Sequence, residues 1–422
     1  MLPKVEVAPP GPRSRALAAR LSAVECPAFD ARRDARAATS GEDQSPIVYA
    51  RGEGSNVWDV DGNRYVDLTA GFGALALGYG PNAATRAAAE AIATLPLALG
   101  DVYASELKVR ACEAVAQLLP EPGARVLLGT SGADAVTAAL KTAALATGKP
   151  RVVAFEGSYH GLSHGPLAAL GLAPGFRDPF VAQLGAFVDF APYPSTEAEL
   201  DVSLEAVRNA VKRGDVGAIL VEPILGRGGC VVPPLAFLPE LREIAQEAGA
   251  LLIADEIWTG MGRTGRRSML ASSPATLPDV VCLGKALGAG FPISACVGRG
   301  HVMEAWGRHG GTAIHTGTHF GAPPACAAAI AAIDAIAEIA GVEAKGKHCR
   351  DKLAAAGFEA RGEGLMIGVV TKDAATALAM ARRWLARGFV ALTGGRQGNV
   401  ITLTPPLTID EPELDAAVEA LA

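Results

Sequence analysis

Apolar and polar positions along this chain alternate between short solid apolar runs and longer stretches of helical spacing. The runs sit in "RVLLGTSG" (125–132), "RVVAFEGSYHG" (151–161), "GAILVEP" (217–223), "ALLIADE" (250–256), "DVVCLGKALGAG" (279–290) and "SACVGR" (294–299). Between them lie "ADAVTAALKTAALATG" and "LPELREIAQEAG", with apolar residues three and four apart. Strands that are continuously apolar are covered on both faces, and strands alternating with helices predict a mostly parallel sheet flanked by helices. Upstream, "GSNVWDVDGNRYVDLTAG" (54–71) alternates apolar and polar residues around Asp61-Gly62 and predicts a hairpin. The first 45 or so residues, rich in Pro and Arg, predict irregular chain apart from one short helix. After about residue 325, the Ala-rich "PPACAAAIAAIDAIAEIA" predicts a helix leading into a smaller α+β segment. The predicted division is 1–75 as an extension and part of a small domain, 76–322 as the large domain, and 323–422 as the rest of the small one.

Composition adds mainly exclusions. The 422 residues are 50% hydrophobic and carry a net charge of −6, ample for a large core spread over two substructures. Acids and bases are interspersed, so nothing points to nucleic acid or an anionic membrane as partner. No apolar run approaches the ~18 residues of a membrane span. Seven cysteines, from Cys26 to Cys349, are scattered without metal-type spacing and read as reduced thiols of a cytoplasmic protein. The Ala- and Arg-rich N-terminus contains Glu6 and Glu25 and lacks an apolar signal core, so it reads as a surface extension. His164, His315 and His319 lack carboxylates at metal-binding spacing, and no metal is expected.

Ligands of open α/β sheets bind beyond the carboxyl ends of strands. The residues predicted there are Ser131, Gly132 and Ala133; Tyr159 and His160; Glu222; Asp255 and Glu256; and Lys285. Most lysines solubilise surfaces, but one at a strand exit among glycines can lose water, shed its proton and attack a carbonyl. Two acids closing an apolar strand need a cation, since an unpaired buried charge costs several kcal/mol. A helix opening at Gly132 offers backbone N–H groups to a phosphate. Tyr159 is an aromatic platform, though a core tyrosine is the commoner use of that residue type. Phosphate cradle, platform, ring-nitrogen acid and reactive lysine together describe a pyridoxal 5'-phosphate site.

"ADEIWTGMGRTG", "CLGKALGAGFP", "GTSGADAV", "SYHG" and "THFGAPPACAAA" together resemble the class III (omega-type) pyridoxal-phosphate aminotransferases, and the likeness runs through nearly the whole chain. The resemblance implies fold type I: a large domain with a mostly parallel sheet of the seven-stranded type, plus a smaller α+β domain. It implies that Lys285 holds the coenzyme as a Schiff base and moves the proton, that Asp255 pairs the pyridine nitrogen, and that Ile257 and Tyr159 sandwich the ring. Gly132 and Ala133, beside Ser131, would bind phosphate, Glu222 would lie near the phenolic edge, and His160 would support. Thr318 resembles the threonine that reaches the phosphate of a neighbouring subunit, which implies a homodimer. The implied reaction is ping-pong transfer from an amine donor to a keto acid or aldehyde. Aminomutases, epimerases and decarboxylases share the framework; mutases and epimerases would show activity without a keto-acid co-substrate. A binding subunit without activity fits poorly with retention of Lys285, Asp255 and Thr318, and a dehydrogenase fits poorly with the lack of a G-x-G-x-x-G turn.

The chain departs from the family pattern where substrates are chosen. Arg227 stands in "EPILGRGG" where an acid is usual, and Thr402 in "NVITLTPPL" where an arginine usually holds a carboxylate. Trp258 replaces a usual glutamine, and "LGYGPN" lacks a usual histidine. Arg227 and Arg396 are therefore the expected carboxylate anchors, with Phe72 and Trp258 as aromatic walls. A surface or interface position is the plainer reading of Arg227. The arginines of "GRTGR" read as a solvated loop or as a contact at the coenzyme edge.

Overall fold

The computed structural model describes residues 1–308 and 310–421. They divide into two compact units, Met1–Asn82 with Gly341–Ala422, and Ala83–Ala340. The boundaries differ from the expected 75/76 and 322/323. The helix Pro323–Ala337 belongs to the large unit, where nine of its residues are buried, largely against the helix Ala83–Thr94. An apolar face that broad is stabilised by the larger core it joins.

In the N-terminal part of the smaller unit, residues 1–45 are more regular than expected: a second helix, Ala28–Ser40, follows the first, Pro12–Ser22. Its Arg-rich sequence hides it, because it buries no residue fully and its apolar face is mostly alanine. Strands β1 (Tyr49–Glu53), β2 (Asn56–Asp59) and β3 (Arg64–Asp67) follow. β2 and β3 form the expected antiparallel hairpin, and Gly62 takes the left-handed backbone at its turn, φ 95°. Asp59 locks it: its carboxylate accepts from the Asn63 amide and from the Tyr65 hydroxyl at 2.7 Å.

The large unit contains β4 (Arg125–Gly129), β5 (Arg151–Phe155), β6 (Val188–Ala191), β7 (Val216–Val221), β8 (Leu251–Asp255), β9 (Val280–Leu283) and β10 (Ser294–Gly298). They form one seven-stranded sheet in the order β4-β10-β9-β8-β7-β5-β6. Only β10 runs against its neighbours. β6 was absent from the expected strands; "VDFA" is short, edge-placed and only half-buried, so it lacks a solid apolar run. β7, by contrast, is buried at all six positions, as a central strand under helices must be. The core joins Val152, Ala154, Leu220, Ile253 and Val280 of the sheet to Ala135, Val136 and Ala139 of the helix Gly132–Thr147.

The C-terminal part of the smaller unit supplies β11 (Glu359–Glu363), β12 (Met366–Val370), β13 (Phe389–Val390), β14 (Leu392–Gly394) and β15 (Val400–Leu403). β13 adds to β3 in parallel, and the others form an antiparallel sheet in the order β11-β12-β15-β14. No single helix among the described residues is long and apolar enough to cross a membrane.

Candidate active site

The sheet order brings distant residues together. β5, β7, β8 and β9 are consecutive neighbours, all parallel, so their carboxyl ends share one edge of the sheet. Neighbouring strands lie about 4.8 Å apart, so four ends occupy a row of roughly 15 Å. Tyr159 and His160 follow β5, Glu222 follows β7, Asp255 ends β8, and Lys285 follows β9 after Gly284.

The two acids at the end of β8 have separate tasks. Asp255 is 4% exposed, and its Oδ2 lies 2.7 Å from His160 Nδ1. Its Oδ1 accepts from the Ile257 amide at 3.2 Å. Glu256, 1% exposed, turns the other way: its carboxylate accepts from the Ser268 hydroxyl and from the Met269 and Leu270 amides, fastening the following loop. Burial raises the Glu256 carboxyl's affinity for its proton, and those three donors work against it.

Lys285 sits in left-handed backbone, φ 43°. Its Nζ lies 4.1 Å from the centroid of the Trp258 ring, a cation–π contact. Part of the side chain remains open to the site, yet enough protein surrounds the amine that burial pulls its pKa down to about 8. Asp255 and Glu222 pull the other way, while Arg227 and Arg263 add to the burial effect. Glu222, 5% exposed, accepts from the Tyr159 amide at 2.7 Å and the Gly226 amide at 3.0 Å. Burial still pushes its pKa up to about 7; nearby Asp255 adds to the rise, and His160 and the two amides oppose it. Behind it, Phe155, Tyr193 and Phe237 pack edge to face at 5.2–5.9 Å, and the Tyr193 hydroxyl donates to the Glu222 and Pro223 carbonyls.

Arg227 lies inside this cluster rather than out in solvent: its Cζ is 4.8 Å from the centroid of Tyr159. Arg263 is 1% exposed, which corrects the solvated-loop reading for that residue, whereas Arg266 is exposed as expected. No signal in "GRTGR" distinguishes the two arginines; the fold alone buries one and exposes the other. Gly132 begins its helix against Ile257, and a Cβ there would stand 2.8 Å from Ile257 Cδ1. Ser131 caps that helix, accepting from the Asp134 amide while Asp134 accepts from the Thr130 and Ser131 amides. The amides of Gly132 and Ala133 belong to the first turn, which has no intrahelical acceptor for them. Thr318 is exposed, in a turn of the same unit. The remaining candidates lie in the smaller unit: Phe72, 58% exposed with φ 62°; Arg396, exposed between β14 and β15; and Thr402, buried on β15.

These residues fit a pyridoxal phosphate. Asp255 is a buried carboxylate able to hold a positive donor besides the imidazole. Lys285 is a desolvated amine, and the helix start at Gly132 is an anion cradle of backbone amides. His160 Nε2 and Trp258 Nε1 are buried without a hydrogen-bond partner among the described residues. No group of three or more His, Cys, Asp or Glu there is placed to hold a metal ion.

Comparison with known proteins agrees. Residues 37–422 match the model of the aminotransferase class-III family. The chain is 39% identical over 386 residues to an acetylornithine aminotransferase from Methanopyrus kandleri, covering 89% of this chain and 94% of that protein. It is 35% identical over 383 residues to one from Streptomyces clavuligerus, covering 89% and 90%. Among solved structures, an ornithine aminotransferase from Toxoplasma gondii superposes with a TM-score of 0.80 at 29% identity, covering 89% of each chain. An (S)-enantioselective omega-transaminase from Thermomicrobium roseum does so with 0.82 at 26%, covering 89% and 92%. On the match across nine-tenths of its length, the chain belongs to the class III aminotransferases, fold type I enzymes that transfer amino groups with pyridoxal 5'-phosphate.

Proposed function

We propose that Lys285 is the lysine that carries the coenzyme and moves the proton during amino transfer, and that the donor is an amine bearing a carboxylate. The observation that carries this is the buried Asp255–His160 pair at the end of β8, beside a desolvated lysine on the next strand. Pyridoxal phosphate, when bound, supplies an electron sink for the substrate carbon. The chain's own residues do the rest.

Asp255 holds the ring nitrogen's positive charge, and His160 fixes the carboxylate from behind by donating from Nδ1. Ile257 and Tyr159 cover the two ring faces, and Glu222 lies at the phenolic edge. The amides of Gly132 and Ala133 bind the phosphate, with Ser131 ordering the helix start. Lys285, with its pKa near 8, is both a usable nucleophile and a usable acid at neutral pH. Trp258 keeps water and the ammonium's alternative partners away from it. Arg227 takes the donor's carboxylate, the task for which the family pattern has an arginine where this chain has Thr402. Exposed Thr318 serves the phosphate of the neighbouring subunit in a cytoplasmic homodimer. Relatives named acetylornithine aminotransferase make N-acetylornithine, with a keto acid as acceptor, the first pair to assay.

The test is an absorbance scan of the purified enzyme with each of a panel of donors and no acceptor present. The visible coenzyme band should bleach with a carboxylate-bearing donor and return when a keto acid is added. A band that persists with every donor while an amino acid is isomerised would mean a mutase or epimerase. Lys285→Ala should lose the band given by covalently held coenzyme, and a variant that keeps it would assign that role to another lysine.

A further inference from the structure

The smaller unit contains a cavity of 480 Å³ to which none of the residues assigned to the coenzyme contributes. That volume is in the range of small-molecule sites. Its lining includes four arginines, Arg32, Arg33, Arg36 and Arg382, and no Asp or Glu. Arg32 and Arg36 are one turn apart on the helix Ala28–Ser40, and Arg382 projects from the helix Ala374–Ala386 packed against it. Arg33 is paired with Asp30. The other three form no ion pair among the described residues; the Arg382 guanidinium donates to the Ser45 carbonyl at 3.0 Å. The acids whose charges act on Arg382 are Asp43, which pairs with Arg15 at 3.0 Å, and exposed Glu42; burial outweighs them. Burial lowers the proton affinity of Arg36, and the charges of Arg32 and Arg382 lower it further.

Like charges gathered at a partly desolvated wall are unfavourable without a counter-charge. The same cavity has an aromatic part. Phe29, Tyr49 and Phe72 line the same cavity while 49%, 44% and 58% exposed, which leaves apolar surface for a ligand to cover.

We propose that this cavity binds an organic anion, a carboxylate on an aromatic or branched apolar body, with Arg36 and Arg382 as the anion's partners and Phe29 and Phe72 against its body. Guanidinium groups hold carboxylates through paired N–H donors, and their planar faces leave the aromatic wall to select the body. The inference rests on the smaller unit's own residues and does not depend on the role given to Lys285.

The test is calorimetric titration of the holoenzyme with 1-naphthoate and with uncharged 1-naphthamide. The naphthoate should bind at least about tenfold more tightly than the amide, and Arg36→Gln or Arg382→Gln should each weaken it about tenfold or more. Arg227→Gln should leave that binding intact, and the visible coenzyme band should not move during the titration. Equal binding of acid and amide would overturn the proposal, as would naphthoate binding that survives both substitutions, is abolished by Arg227→Gln, or is absent altogether. If Arg36→Gln does not fold, exposed Arg32→Gln and the charge-keeping Arg36→Lys serve, the first weakening the naphthoate and the second largely retaining it.

Discussion

At the scale of single residues, the candidate site gathers groups held away from their ordinary protonation. Glu222 is the clearest. Its carboxyl is pushed up to about 7 in the folded protein against 4.5 in the open chain, chiefly by burial. Between those values the folded state keeps a proton that the unfolded state releases, so stability falls as pH rises through that window. Glu222→Gln carries no such proton, so its melting temperature should fall less between pH 4.5 and 7 than the wild type's. Parallel profiles would remove the assigned burial effect. Arg227 makes the second case. If its guanidinium holds a donor's carboxylate, Arg227→Gln should raise KM for carboxylate donors about ten- to a hundredfold, the worth of a charged hydrogen bond. The coenzyme band should stay in place. Unchanged turnover of every acidic donor would return Arg227 to a packing role against Tyr159. The sequence made these residues visible unevenly. Lys285, Asp255 and Glu222 could be found because solid apolar runs lead directly to them. The His160–Asp255 pairing and the burial of Arg263 could not, since both depend on contacts between segments far apart in the chain.

Elements follow the same division. Strands covered on both faces were readable, since β7, β8 and β9 are unbroken apolar runs. β6 and the helix Ala28–Ser40 were not, because an edge strand and a surface helix bury too little to imprint a pattern. The start of the helix Gly132–Thr147 was readable after its strand, and Ser131 and Asp134, three residues apart, close it with a capping box. Support behind the site also belongs to this scale. Phe237, fully buried, wedges between Phe155 and Tyr193, and Tyr193 steadies the turn at Glu222. Phe237→Ala should cost about 3–5 kcal/mol in chemical denaturation. A loss below about 1 kcal/mol would mean that this cluster repacks freely.

For the whole molecule, the proposed sharing of sites between subunits has a direct genetic test. Lys285→Ala and Thr318→Val chains should each be weak alone. Co-expressed, they form mixed dimers in which one site has Lys285 from one chain and Thr318 from the other. That site is intact, so activity should reappear in the mixture and track the mixed-dimer fraction. Mixed dimers without recovered activity would place Thr318 in its own subunit's site or in none. The division into two units was only partly readable: the break near residue 82 lies close to where the strand–helix rhythm begins, but the helix Pro323–Ala337 looked like the start of a new domain. Its composition, eleven Ala and Ile among fifteen residues, says that it is buried and not in which unit.

The backbone at Lys285 bears on how such a position persists. A left-handed conformation costs a residue with a Cβ roughly 1–2 kcal/mol, a penalty that glycine escapes and asparagine partly escapes. The amine is also stripped of water. By both measures lysine is a poor fit to its own place, a cost that the proposed chemistry would explain. A lineage released from selection for amino transfer but still selected for folding would drift at position 285 toward glycine or asparagine before its surroundings changed. The identity of that one residue would then distinguish a working descendant from a retired one.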